Sequence, residues 1–261
     1  MAIYNCEDTL AEAIDSLYQQ SCQAFKLILC DDCSTDKTWE IASRYADRYD
    51  NIVLIRNEKN LKLAASLNHC LQYADTEFVA RMDGDDISLP QRFEKQLGFL
   101  EAHPEYAIVS SPMIYFDEDG DWGRGKCIAE PDKYSFRFGV PHPHAPSMIR
   151  TEALKKVNGY QDDEKSVRVE DYYLWYKLYK AGFKGYNLDE PLYKMRDNKV
   201  AMNRRNFKAR MNGFTARRTV LKDFGICCPL WYAMPNLIKA FVPDFIIMRC
   251  RRFFINRVPE N

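Results

Sequence analysis

The sequence predicts an α/β protein with a Rossmann-like, mostly parallel sheet, helices on both faces, and a C-terminal helical extension. Two observations carry this. Short β-branched runs alternate with helical patterns through the first 110 residues, and acid-rich segments fall directly after the apolar runs. Alternation of this kind builds βαβ units and hence a parallel sheet, whose ligand-binding loops gather beyond the carboxyl ends of the strands.

Taking the elements in order, Leu10, Ile14, Leu17 and Tyr18 make a helical face opened by an Asp8-Thr9 cap. Lys26-Leu27-Ile28-Leu29-Cys30 reads as a buried strand. Trp39, Ala42, Tyr45, Ala46 and Tyr49 repeat at helical spacing before the strand Ile52-Val53-Leu54-Ile55. Leu63, Leu67, Cys70 and Leu71 mark a third helix, and Phe78-Val79-Ala80-Arg81-Met82 the next strand. From about residue 110 the pattern loosens into Pro-, Gly- and aromatic-rich segments, such as Gly120 to Gly125 and Pro141-His142-Pro143-His144. A clear helix then runs from Glu170 to Ala181. Residues 1–110 and 111–205 are expected to be two halves of one domain, with 206–261 a helical extension.

At 261 residues the chain can bury a sizeable core. Its 37 basic and 37 acidic residues balance, which argues against a nucleic-acid partner. Nine scattered cysteines, an odd number, suit a reducing compartment and a cytoplasmic location. Cys30 and Cys33 form a CxxC, but the intervening Asp31 and Asp32 raise a thiol pKa, which opposes a redox role. Neither a signal-peptide pattern nor a long apolar run is present, so no membrane-spanning helix is expected. In residues 229–258, Trp231, Phe241, Phe245, Ile246, Ile247, Phe253 and Phe254 are interleaved with Lys239, Arg249, Arg251, Arg252 and Arg257. That pattern fits a helix lying in an anionic membrane surface, and equally a core-packing helix with a solvated basic face.

Three acid-rich segments carry chemistry. Met82-Asp83-Gly84-Asp85-Asp86 follows an apolar strand, and three carboxylates so close together favour a divalent cation that leaves coordination sites free for phosphate oxygens. In Cys30-Asp31-Asp32-Cys33-Ser34-Thr35-Asp36, Ser34 or Thr35 can cap the next helix, while an Asp at the strand end can accept a base N–H. Glu170-Asp171 opens a helix carrying Leu174, Trp175 and Leu178, where the macrodipole stabilises a carboxylate whether or not it is catalytic.

Together these segments resemble the family 2 glycosyltransferases of the GT-A fold, of the bacterial polysaccharide or capsule type. The resemblance runs from residue 1 to about residue 200 and rests on Tyr4-Asn5, Asp31 to Asp36, Asn60 to Asn68, Asp83 to Asp86, and Glu170-Asp171-Tyr172 in family order. It implies a nucleotide-sugar-binding half in residues 1–110 and an acceptor-binding half in 111–205. By that likeness Asp32 reads a uracil-like base with Tyr4 nearby, Asp83 contacts the ribose or metal, and Asp85 is the main ligand of Mn²⁺ or Mg²⁺. Asp171 is the base that deprotonates the acceptor hydroxyl, with Glu170 the second candidate. The implied reaction is inverting transfer from a UDP-sugar to a saccharide or lipid-linked saccharide, by a cytoplasmic protein peripheral on the inner membrane surface. Two alternatives stand beside it: a sugar nucleotidyltransferase, whose Gly-rich first loop is missing at Tyr4 to Asp8, and an inactive sugar-binding scaffold.

Two departures from the family pattern matter. The family usually has glycine where Lys62 stands, so either Lys62 adds a contact to the diphosphate or uracil, which is the favoured reading, or its side chain simply points to solvent. A full apolar strand of about five residues is also expected before Tyr4, so the natural protein is expected to start several residues before Met1. His142 to Ser147, followed by Gly159-Tyr160, resembles the family's acceptor-lining segment, with the prolines shaping a loop rather than the histidines binding metal. Arg196, Arg204 and Arg205 suit closure over a diphosphate, although a solvated charged face explains them as simply.

Overall fold

The computed structural model describes residues 1–197 and 207–242, with Ile246, Ile247 and Arg249. Strands β1 (Ala2–Ile3), β2 (Leu27–Asp31) and β3 (Ile52–Arg56) pair in parallel, with Ile3 opposite Asp31 and Leu27 opposite Ile52. The intervening helices are α1 (Leu10–Tyr18) and α2 (Thr38–Arg48), and α3 (Leu63–Leu71) leads to β4 (Phe78–Ala80). A parallel bridge from Ala2 to Asp83 places β1 between β2 and the segment leaving β4. Thus β1 is central, as anticipated, although it is two residues long.

Beyond β4 the sheet continues through β9 (Met148–Arg150), β6 (Ile108–Ser110) and β10 (Gly185–Asn187). Strand β9 runs antiparallel to both β4 and β6, whereas β10 is parallel to β6. The segment after residue 110, where the sequence pattern loosens, therefore supplies two strands of the main sheet. A smaller sheet of β5 (Ile87–Ser88), β11 (Tyr193–Arg196), β7 (Ile114–Asp117) and β8 (Gly120–Arg124) lies beside it.

Helices cover both faces. Leu10, Ile14 and Leu17 of α1 meet Leu29, Met82 and the Phe93 and Leu100 side chains of α4 (Arg92–Ala102) in one core cluster. On the other face, Leu67 of α3 and Leu154 of α5 (Thr151–Lys156) pack with α6 (Glu170–Lys180), whose Leu174, Trp175 and Leu178 are fully buried. Ala216, Val220 and Leu221 of α7 (Phe207–Asp223) join this cluster, and α8 (Pro229–Phe241) packs on α7. Removing the Trp175 side chain would cost about 3–5 kcal/mol, as for other large buried aromatics, so α6 is anchored firmly enough to fix the side chains of its first turn.

Candidate active site

Every acid-rich segment of the sheet's first half ends at one edge. Because β1, β2 and the Ala2–Asp83 bridge are all parallel, Tyr4, Asp32 and Asp83 leave their strands in the same direction. This is where a parallel sheet offers a ligand site.

The loop after β2 is tightly braced. Asp31 is fully buried, pairs with Arg56 at 2.9 Å and accepts from the Ser34 amide at 3.3 Å, while Arg56 stacks over Trp39. Asp32 is also buried and accepts from three N–H groups: Leu61 at 2.7 Å, Lys62 at 2.9 Å and Asn57 Nδ2 at 2.8 Å. Asp32 therefore ties the loop entering α3 to the end of β2, and its carboxylate is already well supplied with donors. Lys62 has φ 75° and ψ 171°, a region almost restricted to glycine, and its amide is the one held by Asp32. Asn5 and Cys33 also take positive φ at this edge. The Lys62 side chain is exposed, as is Tyr4, at 46 %.

Capping differs from the sequence expectation. Ser34 accepts from the Asn5 amide at 3.1 Å and the Thr35 amide donates to Asn5 Oδ1 at 2.9 Å, so these residues lock the first loop to the second rather than cap α2. Asp36 takes the cap-like role, accepting from the Thr38 amide at 2.9 Å and from the Glu7 amide at 3.1 Å. Thr9 likewise leaves α1 uncapped; its hydroxyl donates to the Gly84 carbonyl at 2.8 Å. At Gly84 a Cβ would sit 2.9 Å from Cys6 Sγ and 3.2 Å from Ile3, so only glycine lets the Asp-Gly-Asp-Asp turn lie against β1.

In that turn, Asp83, Asp85 and Asp86 each bring a carboxylate oxygen within 4.8 Å of the others. An octahedral cation with oxygens at about 2.1 Å spans about 4.2 Å between opposite ligands, so even the widest pair of the three carboxylates would need to close by no more than about 0.6 Å to lie on opposite sides of one. Asp86 is buried and accepts from the Arg196 amide at 2.8 Å; its carboxyl is pushed well up by burial and by the charges of Asp83 and Asp85. Bringing three acids together at this cost suits a site completed by a hard cation. Arg196 also donates Nε to the Asp85 carbonyl at 3.0 Å and stacks over Phe116. Arg196 thus braces the turn, while Arg204 and Arg205 lie outside the described residues.

Glu170 and Asp171 open α6. Glu170 is buried and its Oε2 has no hydrogen-bond partner. Half-buried Asp171 accepts from the Tyr172 amide at 2.7 Å, and burial together with the Glu170 charge pushes its carboxyl up to about 7. Two residues connect this pair to the three-carboxylate turn. Arg81 is buried, forms an ion pair with Asp83, and also acts electrostatically on Asp171. Tyr160 is buried and feels the charges of Arg81, Asp171, Asp83 and Glu170.

The histidines serve packing. His144 meets the Tyr160 hydroxyl at 2.8 Å, and burial pushes its pKa well down. His142 meets Asn187 at 2.8 Å and Tyr179 at 2.9 Å, its ring filling the space in front of Gly185. The eight described cysteines are free thiols. Sequence reasoning missed Arg81, Arg92 and Tyr193. Fully buried Arg92 donates to the Arg81 carbonyl at 2.6 Å and to Ser147 at 3.2 Å, and Tyr193 accepts from the Asp83 amide at 3.2 Å. Arg81 sits in an apolar run, while Arg92 follows Pro90-Gln91 and Tyr193 precedes Lys194, and in none of these settings does the spacing distinguish a buried polar brace from a surface residue.

Residues 1–161 match the family model described as glycosyl transferase family 2. The chain belongs to that family. Among its relatives, the putative glycosyltransferase EpsE of Bacillus subtilis (strain 168) is 43 % identical over 95 % of this chain and 90 % of that protein. The UDP-Glc:alpha-D-GlcNAc-diphosphoundecaprenol beta-1,3-glucosyltransferase WfaP of Escherichia coli is 27 % identical over 92 % of this chain and 93 % of that protein. Two solved glycosyltransferases share the GT-A fold. TarS 1-349 of S. aureus in complex with UDP-GlcNAc matches with TM-score 0.68 and 20 % identity, covering 97 % of this chain and 73 % of that one. The mannosyltransferase PcManGT of Pyrobaculum calidifontis, in complex with GDP-Man and Mn²⁺, matches with TM-score 0.63 and 18 % identity, covering 96 % of this chain and 77 % of that one. This family 2 chain is therefore a GT-A glycosyltransferase, with relatives that act in polysaccharide and lipid-linked sugar synthesis.

Proposed function

We propose that the chain transfers a hexosyl or N-acetylhexosaminyl group from a UDP-sugar to a hydroxyl of a saccharide or lipid-linked saccharide, with inversion and with Mn²⁺ or Mg²⁺. The observation that carries this reading is a three-carboxylate cluster linked through Arg81, which pairs with Asp83 and acts on Asp171, to a half-buried carboxyl whose pKa is raised to about 7. Tyr4, Asp32 and Lys62 form the nucleoside side of the site in residues 1–110. Asp85 and Asp83 would hold the cation, which when bound neutralises charge on the diphosphate leaving group. Asp171, in the acceptor half (111–205), takes the proton of the attacking hydroxyl, and its raised pKa makes it a stronger base than a solvated carboxylate. Burial, and after it the nearby Glu170 charge, keeps that pKa high. The protein works at the cytoplasmic face of a membrane, where a lipid-linked acceptor is presented; among the described residues no helix is long and apolar enough to cross one.

The test is thermal unfolding with UDP-, GDP- and dTDP-sugars in the presence and absence of Mn²⁺. A donor at about 100 times its Kd should stabilise the fold by about 2.7 kcal/mol. Equal shifts for all bases, or no dependence on Mn²⁺, would defeat the UDP and metal assignments.

A further inference from the structure

The outward face of α8 is apolar where a soluble helix should be polar. Trp231 is 75 % exposed, Phe241 74 %, Ile238 56 % and Leu230 53 %, while Ala233 on the opposite side is fully buried against the protein. These exposed positions recur at helical spacing and form one stripe. Phe207 of α7, 55 % exposed, continues it by packing edge-on against Phe241. Isolated exposed apolar residues are ordinary, but a contiguous stripe of large ones marks a contact surface.

Charge identifies the partner. The whole chain is neutral, with 37 basic and 37 acidic residues, yet residues 204–261 contain twelve Lys and Arg and three Asp and Glu. The extension therefore holds an excess of nine positive charges, and the rest of the chain an equal excess of negative ones. Two copies meeting through this region would bring like charges together, whereas an anionic lipid surface attracts each cation by about 1 kcal/mol near the membrane. A helix with an apolar face, exposed tryptophan and flanking cations is suited to lie in the plane of the interface.

We infer that the α7–α8 hairpin is the docking surface for an anionic bilayer, with α8 lying flat and Trp231, Ile238 and Phe241 inserted among the headgroups. This deepens the membrane-face part of the proposed function by naming the element that binds, and it does not depend on the metal or base assignments. The hairpin also touches the segment leading to the proposed base. Asn212 donates to the Glu164 and Val167 carbonyls at 3.2 and 3.1 Å, and Arg217, which donates to the Tyr232 carbonyl at 3.2 Å, shares a hydrogen bond with Tyr172 beside Asp171. Docking through α8 thus brings the bilayer close to the loop that precedes Glu170 and Asp171, where a lipid-linked acceptor has to arrive.

The experiment is flotation of the full chain with phosphatidylglycerol-containing vesicles and with phosphatidylcholine vesicles, at low and high salt, alongside light scattering. The wild type should float with the anionic vesicles and be released several-fold by salt. The double variant Trp231→Ser/Phe241→Ser replaces exposed side chains, so it should fold normally while its partition falls about tenfold or more. Asp85→Asn should float like the wild type, which separates this surface from the catalytic reading. Failure of the wild type to float, equal partition of the double variant, or a dimer that the double variant dissolves would each overturn the assignment.

Discussion

The two acidic regions of the site are built on opposite principles. On the proposed donor side, Asp31 and Asp32 are saturated: one by Arg56 and the Ser34 amide, the other by three N–H donors. On the proposed acceptor side, Glu170 Oε2 has no partner, and the Asp171 carboxyl, supported by the amide of Tyr172, is pushed up to about 7 by burial and the Glu170 charge. A saturated carboxylate ties its loop in place and shapes a pocket; an under-supplied one is available to exchange a proton. The difference suits a reaction in which one partner is held and the other is deprotonated.

The sharpest way to break this comparison is Asp171→Asn. If Asp171 is the proton acceptor, transfer should fall by about 10²–10⁴-fold while Mn²⁺-dependent UDP affinity, followed by calorimetry, stays near wild type. The wild-type rate should also rise with pH through about 7, because the base must lose its proton before it can accept another. A near-normal rate in the variant would move the role to Glu170, and a flat profile across neutral pH would remove the proposed base from the acceptor side altogether.

Asp85→Asn probes the turn between the two regions. It should reduce Mn²⁺-dependent donor affinity by about a hundredfold, since a hard cation loses an anionic ligand, while the unfolding midpoint without metal remains close to wild type. Unchanged affinity in the folded variant would show that the three-carboxylate cluster is not the cation site.

Asp32→Ala should act chiefly on stability, by about 2 kcal/mol in urea unfolding. It strands buried donors of the Asn57, Leu61 and Lys62 loop. If stability were unchanged and only UDP binding lost, the carboxylate would be a ligand group with its loop contacts incidental.

How much of this was legible follows the same division. The helices and strands between Leu10 and Met82 come from apolar runs at clear spacing, and the parallel pairing of β2 and β3 follows from their alternation. The acidic motifs were legible because charged residues after a buried strand have few structural explanations. The later strands were not, since β6, β9 and β10 are three residues each and carry no period long enough to read. The braces were hidden for another reason. Arg81, Arg92 and Tyr193 are polar residues buried by tertiary contacts, and Ser34 and Thr35, whose local pattern suggests capping, instead bind Asn5 across the sheet edge.

Lys62 offers the smallest effect and the finest test of how the donor side is held. Its φ of 75° with ψ 171° is favourable only for glycine, and a side chain there costs about 1–3 kcal/mol. The Asp32 carboxylate holds the Lys62 amide at 2.9 Å and compensates part of that strain. Lys62→Gly removes the strain but gives the unfolded chain more freedom, a loss of up to about 1 kcal/mol. The net expectation is a gain of about 1 kcal/mol in urea unfolding. If the ammonium also meets the diphosphate or uracil, the same variant should bind the UDP-sugar several-fold more weakly, so that stability and affinity move in opposite directions. A gain in stability with unchanged affinity would place the side chain in solvent. A loss of stability would show that the backbone at Lys62 is not strained, and that Asp32 is holding a loop already content in its conformation.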